Sequence, residues 1–231
     1  MHPVPKPCQV QDIVQQELLD SSSRTFLFSS FLFSFMPLDP LIAKHRKPQN
    51  DIESFILNRW SSRAFDGEPI NDKLLLQLFE AARWAPSSYN QQPWRFFYAK
   101  RDTEQWPLFF DSLVEFNQEW CKDAAVLILV LSKEEVDGRP HPSHSFDPGL
   151  ATQNLLLQAS QMGLVAHVMT GFDMHKAKKD LHIPTSIHID AMIAVGNKGS
   201  AQDLPQSMQE REVPSSRKPI DDLIAQGPYE E

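Results

Sequence analysis

The sequence predicts an α+β domain, with helices and strands mixed but not strictly alternating. Three stretches carry that prediction. Ala125-Val126-Leu127-Ile128-Leu129-Val130-Leu131 is a continuous apolar run, with the length and branched side chains of a strand buried on both faces. Leu150, Ala151, Leu155, Leu156, Leu157, Ala159 and Met162 surround a helical pattern almost completely, which places that helix in the interior. Ala85–Phe97 sets two prolines, two serines and three side-chain amides between an apolar helix pattern and an apolar strand pattern.

In chain order, residues 1–48 read as an N-terminal extension, and a single domain is expected over 49–231. Met1–Gln11 is rich in Pro and Gln. The Phe/Ser run Thr25–Met36 falls short of the ~20 apolar residues that span a bilayer. It follows Asp12, Glu17 and Asp20 and lacks a small-x-small cleavage site, unlike a signal peptide. Met36-Pro37-Leu38-Asp39 opens a more ordinary sequence, which favours Met36 as the natural start. From Asp51, read as an N-cap, a helix presents Ile52, Phe55 and Ile56 and delivers Arg59–Arg63 at its end. The next helix has Asn71 as N-cap, an Ile70–Leu75 staple, and Leu74, Leu75, Leu78, Phe79 and Ala82 as its buried stripe. Pro86 ends it. Pro93 biases Gln92 towards an extended backbone and hands the chain to a strand over Trp94–Ala99. Residues 104–120 read as one helix with Leu108, Phe109, Leu113 and Phe116 inward. After the apolar strand, 133–146 reads as a polar loop. Asp147-Pro148 reads as cap and first residue of the buried helix, with Gly163 closing it. Val165–Met169 and Ala191–Val195 are strands, and Asp173 caps a helix that ends before Pro184.

Hydrophobic residues make up 41% of the 231, enough for a substantial core. A net charge of −8 argues against a nucleic-acid binder, while leaving room for a local basic pocket. The two cysteines are Cys8, in the extension, and Cys121, read as a small core residue. That usage points to a reducing, cytoplasmic compartment without a structural disulfide. No Gly-x-Gly-x-x-Gly or Walker-type run is present, so any nucleotide must be held by side chains and loop amides. His141 and His144 lack a third ligand nearby and read as a solvated loop rather than a metal site. No Gly-x-Ser-x-Gly elbow supports a serine nucleophile.

Arg59-Trp60-Ser61-Ser62-Arg63 and Pro86-Ser87-Ser88-Tyr89-Asn90-Gln91-Gln92-Pro93-Trp94, in that order, resemble the signatures of the FMN-dependent nitroreductase family. Asn117, Gly171-Phe172-Asp173 and Arg217-Lys218-Pro219 extend the resemblance over roughly residues 50–225. It implies a helix–sheet–helix sandwich, a homodimer with an exchanged C-terminal segment, and FMN bound between the two subunits. Arg59, Arg63 and Arg217 match phosphate contacts, where arginine supplies a planar charged fork. Ser61 matches a nearby polar contact. Asn117 matches a contact to the polar side of the flavin, and Gly171 a backbone position close to the ring. Pro86, Ser87, Ser88 and Asn90 match contacts from the other subunit. Trp60 and Thr170 also fall at flavin-contacting positions, but Trp60 stands where relatives often carry a basic or hydrogen-bonding residue, and Thr170 where some carry glutamate. Ser215 and Trp120 stand where some relatives place lysines. The implied activity passes reducing equivalents from NAD(P)H to a nitroaromatic, quinone or similar acceptor. The flavin performs the chemistry, with no catalytic side chain and no metal. Reductive dehalogenation, dehydrogenation and non-enzymatic flavin binding are the alternatives on the same scaffold. Neither a nucleic-acid partner nor stable membrane insertion is expected.

Overall fold

A computed structural model describes residues 37–228. Cys8, the Phe/Ser run and most of the N-terminal extension lie outside the described residues. The extension's last part has regular structure. Helix α1 (Pro40–His45) is capped by the Asp39 carboxylate, has Pro at its start, and buries Ile42.

Helix α2 (Ser54–Asn58) is shorter than the apolar spacing suggests. Its N-cap is Glu53, not Asp51, and Ile52 and Ile56 are exposed. Helix α3 (Asp72–Arg83) starts as read, with the Asn71 side chain accepting from the Leu74 N–H. Strand β1 (Trp94–Lys100) follows. The helix expected over 104–120 is two pieces, α4 (Trp106–Phe110) and α5 (Glu115–Cys121). Between them, Leu113 bridges to Phe172, and the Val114 N–H donates to the Gly171 carbonyl at 3.1 Å. The break keeps Phe109 and Leu113 buried but turns Phe116 outward.

Strand β2 (Val126–Lys133) carries the long apolar run, and the loop after it holds a small hairpin, β3 (Glu135–Val136) and β4 (Arg139–Pro140). Helix α6 (Phe146–Gln161) begins before Asp147, with Ser145 at the cap position, so Asp147 is not the cap. Gly163, at φ 74°, takes the left-handed turn that ends it. Strand β5 (Leu164–Met169), helix α7 (Met174–Asp180, capped by Asp173), strand β6 (Ile187–Asn197) and the short α8 (Gln206–Gln209) complete the order.

One antiparallel sheet runs β1-β2-β6-β5. Its faces explain why β2 is apolar throughout. Leu127, Leu129 and Leu131 join a core with Phe109, Trp120, Cys121, Ala177 and Met208 from α4, α5, α7 and α8. Val126, Ile128 and Val130 join a second core with Leu75, Leu78, Ala82, Ala151, Leu155 and Ala159 from α3 and α6. Alternate residues of one strand thus serve two helical layers, and the result is a helix–sheet–helix sandwich. Residues 64–65 lie along the end of β6. A side chain at Gly199 would put its Cβ 2.4 Å from the Phe65 backbone, so the segment carrying Arg59–Arg63 is seated against the sheet through a glycine.

Candidate functional site

Three arginines meet where the end of α2, α1 and the C-terminal tail converge. Arg59 is the residue that closes α2; Arg217 is exposed on the tail. The third, Arg46, follows α1 and is 8% exposed. Its guanidinium donates to the carbonyls of Leu57 (2.5 Å), Arg59 (2.8 Å) and Ser215 (3.2 Å). Arg217 donates to Ser215 Oγ at 3.0 Å and to the Ser216 carbonyl at 2.8 Å. None of the three has an acidic partner among the described residues. Burial, and then the charges of Arg217 and Arg59, bring the Arg46 pKa down to about 10, and burial with Arg217 lowers that of Arg59. Uncompensated guanidiniums held together in this way fit a dianionic phosphate. Arg59 and Trp60 also line a cleft of about 310 Å³ with Leu156 and Ser160 of α6 and Lys198.

Arg63 is placed differently. It lies 4.0 Å from Glu212, a buried carboxylate. Glu212 Oε1 accepts from Ser62 Oγ (2.5 Å) and from the Arg63 N–H (2.7 Å), which fastens the tail to the Ser62–Ala64 backbone. Arg63 Nε and Glu212 Oε2 are buried without a hydrogen-bond partner among the described residues, which is costly unless a ligand supplies one. Ser61 is half-buried beside them.

Asn117 and Gly171 are in contact. The Asn117 amide donates to the Gly171 carbonyl at 2.9 Å and accepts from the Trp120 indole N–H at 3.2 Å. A Cβ at Gly171 would lie 2.5 Å from Asn117 Nδ2, so only glycine admits this wedge. Trp120 is buried beneath Asn117 and fixes its orientation. The Trp120 ring also packs against His167, with ring centroids 4.6 Å apart. His167 donates from Nδ1 to the Ser62 carbonyl at 3.0 Å. Burial lowers its pKa; the Ser62 carbonyl opposes that shift, as does Glu212, while Arg63 and Arg59 add to it. Gly171, Asn117, Trp120, His167, Ser62, Glu212 and Arg63 therefore form one connected run. Thr170, at its edge, is exposed.

The Pro86–Gln92 loop lies elsewhere. Among the described residues no hydrogen bond or ion pair joins it to Arg59, Arg63, Asn117 or Arg217. The Ser88 N–H donates to Asp147 Oδ2 at 3.1 Å. Asp147 also accepts from His141 Nε2 (3.1 Å) and Ser143 Oγ (3.2 Å). His141, expected in solvent, is thus buried at 4% exposure as a partner of this carboxylate. Among the described residues no group of three or more His, Cys, Asp or Glu side chains could hold a metal. Ser87 Oγ accepts from the Gln92 N–H at 2.9 Å, and Tyr89, Asn90 and Gln92 take positive φ of 50°, 56° and 48°. Gln92 is therefore not the extended residue expected before Pro93. Asparagine tolerates this left-handed backbone; tyrosine and glutamine do so at a cost that such loops concentrate. Pro86 and Asn90 are exposed, Ser87 and Ser88 half-buried.

Sequence reasoning missed Arg46, Glu212 and His167. A signal existed for the first: Asp39-Pro40 is an N-cap followed by proline, the mark of a helix start just upstream. Glu212 and His167 sit in no motif, and their roles come from tertiary contacts alone.

A four-stranded antiparallel sheet between two helical layers, with three arginines at its margin that have no acidic partner among the described residues, defines an α+β sandwich. The profile of the nitroreductase family matches residues 56–113 and 100–197, and the chain belongs to that family. A crystal structure described as an oxidoreductase containing FMN is 40% identical, with a TM-score of 0.78 over 80% of this chain and 96% of its own. An NADH dehydrogenase of Thermus thermophilus is 25% identical over 211 residues, 77% of this chain and 96% of the relative. Protein DrgA of Synechocystis is 30% identical over 162 residues, 56% of this chain and 74% of its own.

Proposed function

We propose that this chain is an FMN-dependent oxidoreductase that takes reducing equivalents from NAD(P)H and delivers them to a small organic acceptor such as a nitroaromatic or quinone. We place it, as a homodimer, in the reducing cytoplasmic compartment that its cysteine usage suggests. The observation that carries the reading is the Arg46–Arg59–Arg217 group, which has no acidic partner among the described residues. The relatives named for FMN and NADH support it. In this reading Arg59, Ser61 and Arg217 hold the phosphate end. Asn117, Thr170 and the Gly171 backbone border the ring, and Arg63, matched to the phosphate contacts, offers an Nε that has no partner among the described residues. Trp60 walls the adjoining cleft, and Pro86, Ser87, Ser88 and Asn90 serve the partner's site. Bound FMN supplies reversible two-electron chemistry between the nicotinamide and the acceptor, and the chain supplies binding, orientation and electrostatics.

The test is the purified protein itself. It should be yellow and release FMN, not FAD, on acid treatment, and NADH or NADPH should bleach the bound flavin rapidly under anaerobic conditions. Arg217→Ala should weaken FMN by roughly 1.5–3 kcal/mol, the scale of a hydrogen bond to a charged group, and leave riboflavin almost unaffected. Colourless protein that FMN cannot reconstitute would refute the proposal.

A further inference from the structure

Arg46 lies outside every stretch that resembles the family signatures, yet it is the most enclosed of the three converging arginines. The hydrogen bonds of its Nε and Nη1 all go to backbone carbonyls. Leu57 is in the last turn of α2 and Arg59 closes it, so two of the carbonyls it meets belong to a helix end, where carbonyls lack intrahelical partners. The third belongs to Ser215, 169 residues away in sequence. The same Ser215 carbonyl also receives Arg217 Nη1, at 3.4 Å. One planar fork thus joins the backbone that carries Arg59 to the backbone that carries Arg217. A lysine could not do this, because its ammonium is a single point charge and does not present a rigid fork.

This arrangement opposes its own electrostatics. Three cations converge without an acidic partner among the described residues, and the charges of Arg217 and Arg59 both disfavour the Arg46 cation. Arg46 holds its place through its three carbonyls, and its charge then adds to the potential at the two arginines it joins. An anion placed there relieves the repulsion and inherits two arginines already positioned for it.

We infer that Arg46 is a positioning residue for a phosphate-monoester subsite, bracing Arg59 and Arg217 into one anion-binding unit; this rests on the FMN reading for the ligand's identity, though not for its charge. The α1 segment therefore belongs to the binding site, although the sequence pattern sets it outside the domain.

The experiment uses the full chain as wild type, Arg46→Lys and Arg46→Gln, stripped of flavin. Affinities for FMN and riboflavin are measured by fluorescence quenching, and thermal stability is measured with and without inorganic phosphate. Both variants should lose FMN affinity by roughly tenfold or more, the scale of a charged hydrogen bond, while riboflavin affinity changes by less than about twofold. Phosphate should raise the melting temperature of the wild type and of neither variant. Equal losses for FMN and riboflavin would show that Arg46 acts only through folding and would overturn the inference. So would wild-type FMN affinity in Arg46→Lys, which keeps the charge and loses the fork. If Arg46→Gln does not fold, Arg46→Lys decides alone. If wild-type protein binds FMN no tighter than riboflavin, the flavin reading fails. The brace is then judged by phosphate: stabilisation of the wild type alone upholds it, and no stabilisation of the wild type refutes it.

Discussion

Replacing Gly171 by alanine tests the wedge on which the ring-side residues depend. The new Cβ would stand 2.5 Å from Asn117 Nδ2 and 3.3 Å from Val114 Cγ2. The first distance is too short to keep, so the Asn117 side chain must swing away. Doing so breaks its 2.9 Å bond to the Gly171 carbonyl and its 3.2 Å bond from the Trp120 indole. Each lost bond costs about 1 kcal/mol, more where a buried group is left unpaired, and overpacking adds a similar amount. The expected loss is about 2–4 kcal/mol of unfolding free energy, read by urea denaturation of flavin-free protein at fixed concentration. The mechanism is checked by repeating the change in Asn117→Ala, where the obstructing amide is gone. There Gly171→Ala should cost about 1–2 kcal/mol less, the remainder coming from Val114. Additivity of the two substitutions within about 0.5 kcal/mol would refute the reasoning, because it would mean that the two residues do not meet.

His167 gives a pH signature. Its folded-state pKa lies below the ordinary 6.5, with burial the largest cause, so the unfolded chain binds the proton more readily. Stability should be complete above about pH 6.5 and fall as pH drops from there towards the folded pKa, by up to about 1.4 kcal/mol per pH unit; His167→Gln should flatten that part of the profile. Asp147→Ala should cost about 2–4 kcal/mol, because it releases Ser88, Ser143 and buried His141 together, and limited proteolysis should show new cleavage near Tyr89. Unchanged cleavage there would mean that the loop stands without its carboxylate. For the two-subunit site, a heterodimer of Arg59→Ala/Arg63→Ala with Ser88→Ala/Asn90→Ala should bind about half the normal FMN at near-normal affinity, since a shared-site dimer gathers all four defects at one of its two sites. No recovery in a correctly folded heterodimer would rule that architecture out.

The sequence disclosed most where a residue's environment follows from its neighbours in the chain. The β2 run reads as buried on both faces because each alternate set of side chains has its own helical layer to meet. Asn71 and Asp173 read as caps because capping is a local event spanning two or three residues. Reading failed where a distant partner competes for the same group. Asp147 has the local form of a cap, yet its carboxylate is taken by Ser88, Ser143 and His141, and the helix begins before it. Asp39 followed by Pro40 has the same form and does cap a helix. The helix read over 104–120 breaks because Ser112–Val114 pairs with 171–173, a contact that no periodicity contains. At the site, only the family resemblance singles out Asn117 and Gly171 in the sequence, whereas the hydrogen bond that joins Asn117 to Trp120 and the ring contact of Trp120 with His167 exist only in the folded molecule.

The C-terminal tail runs back along the beginning of the domain. Glu212 fastens it at Ser62 and Arg63, Ser215 at Arg46, and the Ile220 N–H at Gln49 Oε1, 2.7 Å away. These fastenings span 149 to 171 residues of sequence, yet they involve no strand of the main sheet. The seam can therefore open while the two cores stay intact, as a local event with its own small free energy. An anion that needs both sides of the seam binds only its closed form and shifts it towards closure. Amide exchange in residues 212–220 should then slow with bound ligand while exchange in β2 and β6 does not, and a C-terminal tag that pulls on the tail should weaken ligand binding without lowering the unfolding temperature of the sheet.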